Sequence, residues 1–166
     1  MKQLTYEQKL QKMKERAEKK EKRLLKRLEL AKSKPKKEKI SLLLRRCQKV
    51  TNAIVRVKYQ GGPCYTCEKP IPKGDEQAGH CWTVQGHPYS RFDFRNLRLQ
   101  GSCCNNYKHG YHSMFAHKLR NELGEESWNN LVLTAKSSLR YSREELLQMI
   151  EDRKKLLESL TQNPNV

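Results

Sequence analysis

The chain is poor in the material of a large apolar core. Of its 166 residues 36% are hydrophobic and 7% aromatic, against 32% charged. So little apolar surface excludes a fold resting on hydrophobic burial alone and asks for a second support, of which a structural metal is one kind. Acidic residues are also scarce, 18 against 35 Lys and Arg, leaving a formal charge of +17. That deficit favours a polyanionic partner, most simply nucleic acid. No apolar run approaches membrane-spanning length, so no membrane partner is expected. No internal repeat is visible, and no signal-peptide pattern opens the chain. Six cysteines without a secretory signal are expected to bind metal rather than to form a disulfide framework, in a reducing, cytoplasmic setting.

Four segments follow from composition and periodicity. Residues 1–38 form a basic arm, helical or disordered. Residues 1–39 hold 16 Lys/Arg against 6 Glu, contain no Gly, and carry Pro only at position 35. Leu10, Met13, Ala17, Leu24, Leu28 and Ala31 fall on roughly one face, interrupted at Lys20 and Glu21. The arm reads either as a solvated segment or as a helix that forms along DNA phosphates. Residues 39–60 are an amphipathic helix, because Ile40, Leu43, Leu44, Cys47, Val50, Ile54 and Val57 recur at steps of three and four. Cys47 lies on that stripe and reads as a core residue rather than a ligand. Residues 61–124 are the chemical core, opening at the Gly61-Gly62-Pro63 turn. Within it Cys81–Val84 and Leu97–Gln100 read as strands. A helix is expected from Ser102, kinked near Gly110 and stopped at Gly124. Residues 125–166 are a C-terminal helical extension, whose last helix begins at a Ser142/Glu145 capping box. The fold class is α+β and helix-rich.

Cys64-x-x-Cys67 is a half-site for tetrahedral Zn²⁺. The matching second half reads Gly101-Ser102-Cys103-Cys104, with Gly where its first Cys is expected. Cys104 is the third candidate ligand, and Cys103, Cys81 and His87 compete for the fourth place. His80, between the cysteine elements, is the natural general base because its pKa lies near neutrality. Asn96 is the candidate to orient its imidazole. Asn105 is the candidate to present an oxygen to a hard cation, Mg²⁺ or Mn²⁺. Arg91, Arg95, Arg98 and Lys108 are candidates to hold DNA phosphates.

The set Cys64-x-x-Cys67, Ala78-Gly79-His80, Arg91-Phe92-Asp93-x-x-Asn96, Cys104-Asn105 and Gly110 resembles the HNH, or ββα-metal, nuclease superfamily. More narrowly it resembles the phage NinG/Rap recombination proteins, over roughly residues 40–160. The resemblance implies a small zinc-stapled ββα-metal core flanked by helices. It also implies a metal-dependent, structure-specific endonuclease that cuts branched DNA such as Holliday junctions, inside a bacterial host cell. The implied roles are base at His80, support at Asn96, catalytic metal at Asn105 and zinc at Cys64, Cys67 and Cys104. Gly79 stands where many members of the wider superfamily carry an acidic metal ligand, so Asp75, Glu76 and Asp93 become the remaining candidates. The competing expectations are a less selective HNH endonuclease or nickase, and a zinc-stabilised DNA-binding accessory protein without catalysis. Junction preference by shape makes a homodimer plausible, with helices at 40–58 or 142–160 as interfaces.

Overall fold

A computed structural model describes residues 5–33, 38–107 and 109–162. Lys108, one of the expected phosphate ligands, lies outside the described residues, as does most of the 162–166 tail. The chain divides into two units, Met1–Glu38 and Lys39–Val166. The first is a single helix, α1 (Tyr6–Ser33), whose side chains are exposed from Tyr6 to Glu29. Strong helix formers without Gly or Pro account for it, and its apolar residues from Leu10 to Leu28 stay exposed. No helix among the described residues is long and apolar enough to cross a membrane.

The second unit is helix-rich α+β, with a small two-stranded sheet. Helix α2 (Ile40–Lys58) has no Gly or Pro and buries Leu43, Cys47, Thr51, Ile54 and Val55 along one face. The Thr51 hydroxyl is satisfied by donating to the Cys47 carbonyl at 2.7 Å. Strands β1 (Glu76–His80) and β2 (Leu97–Gly101) pair antiparallel, with Gln77 opposite Gln100 and Ala78 opposite Leu99. Helix α3 (His112–Lys136) and helix α4 (Arg143–Gln162) follow. Three clusters close the unit. Leu43, Cys47 and Phe92 meet Leu146 and Ile150 of α4. Cys81 meets Phe115, Leu119 and Leu131 of α3, with Trp82 and Trp128 against them. Val55 of α2 meets Ala78 and Leu97 of the hairpin. Cys47 is thus a core residue, and burial pushes its thiol pKa up.

Two elements differ from expectation. The first strand is Glu76–His80, not Cys81–Val84. The reason is Asn96, whose Oδ1 accepts from the Trp82 N–H at 2.7 Å and whose Nδ2 donates to the Trp82 carbonyl at 3.0 Å. The backbone at Trp82 is satisfied by a side chain instead of a ladder, and the chain turns away there. The second difference lies after β2. Cys103–Tyr107 forms a wide π-type turn, and His109, Gly110 and Tyr111 take positive φ of 50°, 76° and 50°. A run of left-handed residues cannot propagate an α-helix, so the kink expected near Gly110 is present as a full break between the helical turn Cys103–Tyr107 and α3, which begins at His112. The break at Gly124 is present, with φ 74° and ψ 165°, but the helix resumes beyond it. The capping box is present: the Ser142 N–H donates to Glu145 Oε2 at 2.7 Å, and the Glu145 N–H donates to Ser142 Oγ at 3.2 Å.

Candidate functional site

The sulfurs of Cys64, Cys67 and Cys104 lie within 4.8 Å of one another. Tetrahedral zinc at a Zn–S distance of about 2.3 Å separates its sulfurs by about 3.8 Å, so the donor set fits zinc after small side-chain movements. Cys64 and Cys104 are buried, and Cys67 joins them from the exposed side. The loop holding the first pair is fixed by the Cys64 N–H donating to the Lys69 carbonyl at 2.9 Å and the Tyr65 N–H donating to the Leu99 carbonyl at 2.8 Å. Burial opposes ionisation of Cys64. Hydrogen bonds from the Thr66 hydroxyl and from the backbone of Cys67, Gly101 and Thr66 outweigh it, bringing the thiol down to about 6. Burial and the neighbouring Cys67 and Cys64 push Cys104 up to about 11. Without metal the cluster therefore favours one thiolate, at Cys64; a cation would stabilise more.

The other candidates for the fourth position stand outside this group. Cys103 is exposed. Cys81 is packed in the α3 core, where burial raises its thiol to about 12. His87 Nδ1 lies 2.9 Å from the Ala135 carbonyl, and its ring meets the edge of Trp82. At Gly101 an added Cβ would approach Asp75 Oδ2 at 3.5 Å and the Ile71 side chain at 3.7 Å. The three cysteines are the only cluster of three such metal-binding groups among the described residues.

His80 ends β1 and faces α2. Its Nε2 lies 3.1 Å from the Arg91 carbonyl and 3.5 Å from Gln48 Nε2. A carbonyl can only accept, so Nε2 carries the proton and Nδ1 is the unprotonated nitrogen of the neutral ring. Burial pushes the imidazole below its ordinary pKa; the Arg91 carbonyl opposes that and the Arg91 charge adds to it. Burial thus favours the neutral ring over the imidazolium.

Asn96 does not touch the imidazole. It is fully buried, and its Nδ2 also donates to the Ser90 carbonyl at 3.1 Å. It fixes the loop from Cys81 to Ser90 by which the chain leaves His80. Asn105 lies in the wide turn before α3, and its Nδ2 donates to Gln77 Oε1 at 2.6 Å. Residues 77 and 80 point to opposite faces of β1, so Asn105 and His80 approach the strand from different sides. Asn105 Oδ1 is a single hard donor. Asp93 is occupied by Arg95, Asp75 Oδ2 by the Ser102 N–H and Glu76 Oε2 by the Gly74 N–H. These residues do not assemble a ligand set for a second, hard cation.

The arginines divide as well. Arg98 is 6% exposed and pairs with Glu122 of α3 at 2.6 Å while donating to the Leu97 carbonyl. Arg95 pairs with Asp93 at 2.6 Å. Arg91 Nε donates to Gln48 Oε1 at 3.2 Å. Gln48 and Gln100 are participants that sequence reading missed. Gln100 is fully buried, and its Nε2 donates to Thr66 Oγ1 and to the Gly110 carbonyl, both at 3.0 Å. Its Oε1 has no partner among the described residues and sits 1.9 Å from where a Cβ on Gly79 would be. Gly79 is therefore the residue that lets Gln100 close against the strand. Nothing in the local sequence signals either role.

A sequence model described as "Bacteriophage Lambda NinG protein" matches residues 1–163. Proteins called "Protein ninG" are similar to this chain. The one from Escherichia phage 933W is 32% identical over 87 residues, 52% of this chain and 43% of that protein. The one from Escherichia phage lambda is 31% identical over 87 residues, 52% and 42% respectively. The one from Salmonella phage P22 is 34% identical over 70 residues, 42% and 34%. The chain thus spans less than half the length of the curated relatives it matches. No solved structure matches.

Proposed function

Because the chain belongs to the bacteriophage lambda NinG family, we propose that it is a metal-dependent DNA endonuclease of HNH type, acting on branched DNA during phage recombination. The observation that carries this reading is His80: a neutral imidazole with Nε2 tied to the Arg91 carbonyl and Nδ1 left as a base. The strand–strand–helix order of β1, β2 and α3 supports the HNH assignment, and the net charge of +17 supports a phosphodiester substrate. In this reading Nδ1 takes a proton from the attacking water. Asn96 acts at a distance, by keeping the Trp82–Ser90 loop in place. Zinc at Cys64, Cys67 and Cys104 staples the core. A divalent cation such as Mg²⁺ or Mn²⁺ supplies charge neutralisation at the phosphate, and no residue role above depends on where it sits.

The test is cleavage of a labelled four-way junction beside a matched linear duplex, with Mg²⁺ or Mn²⁺, for wild type and His80→Ala. Metal-dependent cutting of the junction, lost in the variant, is the expected result. Intact junctions, flaps and duplexes under every condition would sink the nuclease reading. Equal cutting of both substrates would favour a less selective nickase.

A second reading, a zinc-stabilised DNA-binding accessory protein without catalysis, is favoured by the placement of Asn105. Its amide is committed to Gln77, on the face of β1 away from His80. In that case both proteins bind DNA equally and neither cuts.

A further inference from the structure

Arg95 and Arg98 are spent on Asp93 and Glu122, which leaves the question of which cations would hold a phosphate chain near His80. We infer that the outward ridge of α2, formed by Arg45, Lys49 and Arg56, holds the phosphodiester backbone of duplex DNA beside His80; this rests on the nucleic-acid reading above.

The ridge is read from four observations. Spacings of four and seven residues put the three side chains on one face of the helix. All three are exposed, and none has a hydrogen bond or ion pair among the described residues. Helix α2 contains no Asp or Glu, so no carboxylate on its own surface competes. Its opposite face is already committed to Leu43, Cys47, Thr51, Ile54 and Val55. Eleven residues of α-helix span about 16 Å, the axial length over which one strand of B-DNA carries about five phosphates.

Proximity to His80 comes through Gln48, on the same helix. Gln48 Nε2 contacts His80 Nε2 at 3.5 Å and donates to Asn52 Oδ1 at 2.7 Å. Asn52 lies three residues beyond Lys49 and four before Arg56, between them on the ridge. The Arg91 guanidinium, anchored to Gln48 Oε1, borders the same place. At its C-terminal end Arg56 shares a recess with Lys73 and with Glu76, whose carboxylate already accepts the Gly74 N–H. The side chains that neighbour His80 thus continue into an unpaired basic surface. An alternative polyanion track through Arg95 and Arg98 would first have to break two ion pairs.

The experiment measures binding of the full chain to duplex DNA across a salt series, in a His80→Ala background so that cutting cannot intrude. The variant Arg45→Gln/Lys49→Gln/Arg56→Gln is compared with Lys136→Gln/Lys154→Gln/Lys155→Gln, which removes the same charge from α3 and α4. The expected result is a salt slope shallower by about 2 to 3 for the α2 variant, at about 0.9 per lost phosphate contact. Its affinity falls at least about tenfold, while the control keeps its slope to within about 1. Thermal melting of both variants close to the parent shows that the fold is intact. An unchanged slope for the α2 variant, or equal losses in the two variants, overturns the inference and leaves the nuclease reading standing. A parent protein that binds no DNA at any salt sinks both.

Discussion

On the α2–α4 side of the hairpin, Leu43, Cys47, Phe92, Leu146 and Ile150 close a core of apolar side chains. On the cysteine side, Cys64 and Cys104 are buried beside Thr66 and near Gln100, whose Oε1 has no partner among the described residues. The first region is finished by its own contacts. Even its half-buried cation is satisfied: Arg153 donates to the Phe92 carbonyl at 2.6 Å and to the Thr51 hydroxyl, with Phe92 and Phe94 rings 5.6 and 4.7 Å from its guanidinium carbon. The second gathers three sulfurs that repel as thiolates and pack as little more than small hydrophobes. Their donor set could hold a metal ion. A chain with a small apolar budget closes one region by burial, while the other gathers donors that could take up a cation.

The largest expected effect breaks that contrast directly. Cys64→Ser should remove bound zinc and cost upwards of roughly 5 kcal/mol, since metal affinity of a structural site appears as folding stability. Cys47→Ser, at an equally buried sulfur on the self-sufficient side, should leave the zinc content alone. Elemental analysis of the purified proteins and thermal melting with and without chelator separate the two. Protein without zinc that melts like wild type in both variants would show that the two regions do not differ in kind.

The next effect sits at the junction of the regions. Asn96→Ala leaves the Trp82 N–H and the Trp82 and Ser90 carbonyls without their partner. The expected cost is about 3 kcal/mol, because buried groups are left unpaired. Denaturant titration measures it. On the proposed nuclease reading, the same variant should lose cleavage with the loop, whereas His80→Ala should lose cleavage while keeping stability. Equal stability of Asn96→Ala and wild type would mean that the loop is held by something else.

This division follows what local pattern can and cannot carry. The α2 stripe and the Ser142/Glu145 box are local signals, and both elements appear where the periodicity puts them. The Cys64-x-x-Cys67 pair is legible because ligand spacing is local, while Cys104 reaches it through the Tyr65–Leu99 hydrogen bond that ties the pair to β2. The first strand was misplaced because the decisive partner of Trp82 is fourteen residues away. The division among the arginines is illegible in the sequence for a related reason. Charge alone does not separate a phosphate ligand from a buried ion pair, and Glu122 stands 24 residues beyond Arg98. In α2 the apolar stripe dominates the pattern, and Arg45, Lys49 and Arg56 fall on the face opposite to it. The wide turn after Cys103 depends on three successive left-handed residues, two of which, His109 and Tyr111, give no glycine signal.

A smaller, pH-dependent effect probes the cysteine side from α3. Glu122 accepts from Arg98 and from the Tyr65 hydroxyl at 2.7 Å. Burial would raise its carboxyl, but these two hydrogen bonds and the Arg98 and Lys58 charges hold it below the usual carboxylate range. A folded-state pKa below the unfolded one stabilises the fold above the unfolded value, and that gain is lost as pH falls through the folded value. Wild type should therefore lose stability on acidification below about pH 4 more steeply than Glu122→Gln. The difference is discounted by the 46% exposure of the Glu122 side chain. Parallel acid titrations of the two proteins, followed by melting temperature, test it; superimposable curves would assign Arg98 its place without Glu122.

The smallest effect tests whether the helical side depends on local capping or on its core. Ser142 and Glu145 each satisfy a backbone N–H at the start of α4, yet Leu146 and Ile150 are buried against α2 regardless. Ser142→Ala should cost about 1 kcal/mol, the usual value of an N-cap, and should leave the zinc content unchanged. A loss several times larger, or a loss of zinc, would mean that the α4 start is coupled to the hairpin. The route for such coupling exists in Tyr141, which precedes the cap, stacks on Tyr89 at 4.9 Å and donates to the Tyr89 carbonyl at 2.5 Å. That carbonyl belongs to the loop Asn96 holds, so Ser142→Ala combined with Asn96→Ala gives a double-mutant cycle. Additive losses keep the two regions independent; a coupling above about 0.5 kcal/mol would join them through Tyr141.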